Sequence, residues 1–133
     1  MKEELKLQMN KEQLIDYIND EFDIDADFPF EDDFETAIFR HKDNKKWFAI
    51  CMQVSGNKLS IDTNKKLSVL NVKIEPLFRP SLLEKKGIYS AYHMNKTHWV
   101  SVVIEQADDE DTKALLDMSF ELTRKKTNKK TKK

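Results

Sequence analysis

Two stretches of this chain alternate apolar and polar side chains with period two, and any fold must accommodate both. In residues 99–105, Val100, Val102 and Ile104 face one way. In residues 68–74, Leu70, Val72 and Ile74 face one way, and Asn71 and Lys73 face the other. Successive side chains of a strand point to opposite faces, so each pattern predicts a strand with one face on a core. Residues 47–54 are apolar on both faces, and residues 36–40 give a further strand. His41-Lys42-Asp43-Asn44-Lys45 reads as the hairpin turn between them. Gly56-Asn57-Lys58 turns the chain again, and Leu59-Ser60-Ile61 reads as a short added strand.

Helical spacing flanks these strands. Asn10 is a candidate N-cap, with Gln13 three positions on to answer it. Leu14, Ile15, Ile18 and Phe22 then predict a helix over 11–21. Phe28-Pro29-Phe30 is expected to plug the core edge. Pro76 suits the first turn of a helix over 76–86 that ends at Gly87, although Pro80 lies inside it. The last helix begins at Asp108 or Asp109, with an acidic first turn and a basic end that suit the helix dipole. Ala114, Leu115, Met118 and Leu122 form its apolar stripe. Consecutive hairpins with helices before, between and after them imply an α+β fold, a largely antiparallel sheet with helices packed on one face. The expected organisation is an extension over 1–10, one domain over 11–123 and a disordered basic tail over 124–133.

Composition narrows the function classes. The chain has 133 residues, one domain's worth, with eight Phe and two Trp to build a single core. Its one cysteine, Cys51, lies in an apolar run and is expected to be a buried, inert thiol. Met1-Lys2-Glu3-Glu4 leads into polar residues, and no apolar run approaches the roughly 18 residues of a membrane span. The expectation is a cytoplasmic monomer with no membrane partner. Two glycines are too few for a phosphate-binding loop, a dinucleotide fingerprint or a nucleophile elbow, so no enzyme and no cofactor are expected. The net charge of −1 conceals an asymmetry. Seven of the 23 basic residues lie in 124–133, and the 16 that remain face 24 acids. Nine of the sixteen residues from Asp20 to Glu35 are acidic and none is basic, without metal-loop spacing, which reads as a solvated acidic loop.

Tyr92-His93-Met94-Asn95-Lys96-Thr97-His98-Trp99 stands out, with two histidines, an amide, a lysine and two aromatics just before a strand. Such a loop can hold phosphate or stack a base. His93 and His98 lack the third and fourth ligands of a metal site, so no metal is expected. This run resembles the signature of the MmcQ/YjbR family. Phe28-Pro29-Phe30 with Asp32 and Asp33, the segment through Lys73 and Glu75-Pro76, and Leu116-Asp117-Met118-Ser119-Phe120 also resemble family segments. Two features depart from the family pattern: Ser90-Ala91 replaces the usual Pro-Gly before the tyrosine, and Glu75 replaces an Asp. The resemblance covers about residues 11–124. It implies a CyaY-like, "double wing" fold and a DNA-binding role.

From the loop and the resemblance, the expected nucleic-acid contacts are Tyr92, His93, Asn95, Lys96, His98 and Trp99, assisted by Lys58, Lys73 and the tail. The plainer reading has the histidines bonding backbone at the strand's start, the aromatics packing on the sheet and the lysines solvated. The alternative function is a protein- or small-ligand-interaction domain. It would present the acidic helix–loop to a basic protein partner, or hold a ligand on the Trp47/Trp99 sheet face, with Trp47 read as lying on a strand neighbouring Trp99.

Overall fold

In a computed structural model of the chain, which describes residues 9–33 and 35–124, the first helix forms as α1, Lys11–Phe22. The Asn10 side chain accepts from the Gln13 N–H, and the Gln13 side chain accepts from the Asn10 N–H. These reciprocal bonds satisfy two of the donors that a helix start leaves unpaired. The expected extension over 1–10 and tail over 124–133 fall largely outside the described residues.

Five strands follow: β1 Ala37–Arg40, β2 Trp47–Ser55, β3 Lys66–Lys73, β4 Ile88–Ser90 and β5 Trp99–Val103. They form one antiparallel sheet in the order β1-β2-β3-β5-β4. With α2, Arg79–Leu83, and α3, Asp109–Thr123, the fold is α+β, as the alternation predicts. Three local expectations change. No strand forms at 59–61, because Ser55 pairs directly with Lys66 and leaves the chain between them outside the ladder. That chain begins with a 3-10 turn, Gly56–Leu59. The expected helix over 76–86 divides into a 3-10 turn, Pro76–Phe78, and the short α2. Pro80 thereby sits in a first turn, where its missing N–H costs nothing. The last turn of α3 carries no basic residue, since the basic run starts only at Arg124.

One sheet face carries the main core. Cys51, Leu70, Val72, Ile88, Val100 and Val102 pack with Leu14 and Ile18 of α1 and with Leu115 and Leu116 of α3. Burial pushes the Cys51 thiol up to about 12, so its reactive thiolate is suppressed. Phe28 and Phe30 do not join this core and remain 43% and 44% exposed. Asp27 exchanges both backbone hydrogen bonds with Ile38 on the outer edge of β1, and its carboxylate meets the Arg40 guanidinium. This pairing carries the following residues along the sheet edge.

The β1–β2 register slips between Phe39, opposite Ala49, and Arg40, opposite Trp47, leaving Phe48 as the extra residue of a bulge. The Phe48 ring packs with Phe22, Phe39, His41 and Phe120. Ser119 of α3 secures the backbone here, donating to the Phe48 carbonyl at 2.5 Å and accepting the Lys73 N–H at 2.8 Å.

His41 is buried under the same rings, and one of its ring nitrogens lies 2.8 Å from the Thr123 hydroxyl. Burial holds its pKa below the ordinary 6.5, partly offset by Asp43. The unfolded chain therefore takes up a proton that the folded chain refuses. The histidine's contribution to stability is complete above 6.5 and is lost as pH falls below it. Urea midpoints are expected to fall between about pH 7 and about pH 5.5, and to fall less in His41→Phe. Equal slopes in the two proteins would contradict this assignment.

Candidate functional site

The loop 92–99 is fastened to the sheet face away from the helices. Asn71 of β3 and Ser101 of β5 face each other there, both fully buried. The Ser101 hydroxyl donates to the Asn71 side-chain oxygen at 2.5 Å. It accepts the Tyr92 N–H at 2.8 Å, and the Asn71 amide donates to the Tyr92 carbonyl at 2.9 Å. This closed network satisfies every member in a place where an orphaned polar group would be costly. A second, smaller apolar cluster covers the same face, built on Val54, Leu59, Leu67, Val69 and Val103, with Tyr89 and Tyr92 packed against it.

Beyond this anchor the chain doubles back. His93 takes a left-handed conformation, φ 61°, and its exposed ring lies against Tyr92 with centroids 4.0 Å apart. The Asn95 side chain accepts the N–H groups of Thr97 and His98 at 2.9 and 3.1 Å, so it forms the turn. Lys96 is exposed, and its ammonium donates to the Ala91 carbonyl of its own loop at 2.6 Å. An ammonium carries three donors, and this bond takes one of them. The His98 carbonyl accepts the Ile74 N–H at 2.8 Å, extending the β3–β5 pairing. Half-buried Trp99 stands opposite Lys73, one rung beyond Val72 and Val100. Among the described residues no group of three or more His, Cys, Asp and Glu side chains converges on a common point.

Lys58, Tyr92 and Lys96 line one shallow groove of about 340 Å³, with the hydroxyl-bearing Ser60 and Ser90 beside them. Among the described residues no carboxylate lines it. Two other concavities mix signs, with Asp25 and Asp27 beside Arg40, Lys42 and Lys45 in one and Asp23 and Asp43 beside Lys42 in the other. Lys73, His93, Asn95, His98 and Trp99 lie outside the groove lining. Arg79 is the residue that sequence reasoning missed. Its Nε donates to the Lys96 carbonyl at 2.7 Å, and its Nη2 lies 3.3 Å from the Ser90 hydroxyl. A basic residue at a helix start was visible, but nothing in the sequence showed that α2 turns it toward this loop.

Trp47 and Trp99 do not stand on neighbouring strands as expected. β3 separates β2 from β5 in the sheet order. The hairpin that brings β2 beside β3 also blocks β5 from reaching it. The acidic stretch is partly occupied by its own contacts. Asp23 pairs with Lys42 at 3.0 Å, Asn19 donates to Asp25 at 2.5 Å, and Asp27 pairs with Arg40. The Asp33 carboxylate caps the turn to Thr36, and the Thr36 hydroxyl bond is the chief cause of its lowered pKa.

A family model described as YjbR matches residues 23–122. The chain is similar to an uncharacterised Bacillus subtilis (strain 168) protein, YyaQ. They are 32% identical over 117 residues, spanning 87% of this chain and 99% of that protein. A crystal structure of a Pseudomonas syringae protein superposes with a TM-score of 0.85 at 40% identity, covering 87% of this chain and 100% of that one. A Deinococcus radiodurans protein with a domain labelled DUF419 superposes with a TM-score of 0.65 at 23% identity, covering 93% of this chain and 85% of that one. That last likeness concerns the fold alone.

Proposed function

This chain belongs to the YjbR family, and from that premise we propose that it is a non-enzymatic DNA-binding protein whose contact surface is the groove between Lys58 and the loop 92–99. The carrying observation is a groove lined by two lysines and, among the described residues, by no carboxylate, in a chain with 24 acidic residues. A body this acidic repels a polyanion over most of its surface, so contact concentrates where positive side chains stand without acids. Lys96 and Lys58 supply phosphate contacts, and Tyr92 and His93 supply an aromatic wall. The basic residues of 124–133 add a contribution that ignores sequence and fades with salt.

The reading is tested by DNA binding at low salt with the chain ended at residue 123. That protein is expected to bind, and Lys58→Ala/Lys96→Ala is expected to reduce the slope of log affinity against log salt by about 1.4–1.8, two phosphate contacts' worth. Binding that vanishes with the tail, or that is indifferent to the double substitution, defeats the proposal.

A further inference from the structure

Contiguous exposed apolar side chains beside polar groups mark contact surfaces. Leu77 is 83% exposed and Phe78 46%, on the 3-10 turn Pro76–Phe78 that leads directly into Arg79. The Arg79 guanidinium is bonded to the Lys96 carbonyl and lies by the Ser90 hydroxyl. It therefore ties this turn to the rim of the groove. Contacts and chain continuity link these groups into one path: Lys58, Tyr92 and Lys96 line the groove, His93 lies against Tyr92, and Arg79, bonded to the Lys96 carbonyl, directly follows Phe78.

We propose, resting on the DNA-binding reading above, that this path takes single-stranded nucleic acid in preference to duplex, with one base in the groove against Tyr92 and another stacked on Phe78. Three observations converge. A base paired inside a duplex has both faces covered by its neighbours, whereas an unpaired base can lay its own face on an exposed ring such as that of Phe78. A concavity of 340 Å³ is of nucleotide size and far too small for a double helix. A duplex carries about twice the charge per unit length of a single strand, so the acidic body penalises it more. Tyr92 is held at its peptide groups while its ring packs against the apolar cluster and His93, and Pro76 fixes a backbone angle at the start of the turn that carries Phe78.

The test uses the full chain, with fluorescent oligothymidylate of about 12 nucleotides and a duplex of the same length as probes. The single strand is expected to bind at least about 10-fold more tightly than the duplex at low salt. Phe78→Ala is expected to weaken single-strand binding by about 5- to 100-fold, the loss of one stacked base, with the salt slope unchanged. Because Phe78 is half exposed, the variant should retain its melting temperature, and circular dichroism checks this. Duplex binding as tight as single-strand binding, or an unaltered affinity in a folded Phe78→Ala, overturns the inference. If duplex binds through Lys58 and Lys96 without Phe78, the DNA-binding reading stands and the single-strand preference falls. If neither probe binds, both fall.

Discussion

Ser119→Ala is expected to destabilise the folded chain by about 2–5 kcal/mol, although it removes a single oxygen. Serine at this position closes the gap that the β2 bulge opens. Its hydroxyl donates to the carbonyl of Phe48 and receives the N–H of Lys73. Alanine leaves both backbone groups buried between α3 and the sheet. Each buried group without a partner costs about 1–3 kcal/mol, much more than the net worth of an ordinary surface hydrogen bond. Urea unfolding measures the effect, with Asp117→Ala as comparison. Asp117 is exposed on the same helix, and its loss should change stability by no more than about 0.5 kcal/mol. Equal effects from the two substitutions would remove Ser119 from its bridging role.

Gly87→Ala is expected to cost about 2–5 kcal/mol. Gly87 has φ +84°, a conformation L side chains rarely adopt, and a Cβ there would stand 2.5 Å from the Ala107 nitrogen and 2.7 Å from its Cα. The obstacle is backbone, so rotation of a side chain cannot relieve it. Ala107 is itself fully buried, and the Gly87 carbonyl accepts the Val103 N–H at 2.7 Å, holding β4 to the end of β5. At about 4 °C per kcal/mol for a domain of this size, thermal melting should drop by about 8–20 °C. A drop under about 3 °C would mean that the turn shifts freely and that this close approach is not fixed.

These two positions also show where sequence reading succeeds and where it stops. Gly87 was legible as a helix end because glycine tolerates positive φ, and it does take φ +84°, although α2 itself stops earlier, at Leu83. Its crowding by Ala107 depends on a distant segment, which no local pattern reveals. Hydrophobic spacing located α3 but rotated its buried face. Ala114 is exposed, and Met118 and Leu122 half-buried, whereas Thr112, Leu115, Leu116, Ser119 and Thr123 form the buried row. Three of those five carry hydroxyls that bond main-chain groups or His41. A method that counts apolar side chains passes over them. The strands β3 and β5 were legible through strict alternation. Strand β4 was not, since three residues are too few for periodicity to register. The loop 92–99 was visible through its unusual composition, while its convergence with Lys58 and Arg79 arises from sheet order and the placement of α2.

The clamp formed by Asn71 and Ser101 holds Tyr92 by its peptide groups and makes no demand on the tyrosine ring. Posture and chemistry at the loop's base are therefore separately encoded: one in the interior of two strands, the other in whatever side chain occupies position 92. A lineage, or a protein engineer, can exchange the ring and retune what the chain selects while the mounting stays intact. A change at either buried partner would instead tilt the whole loop and blunt every preference at once.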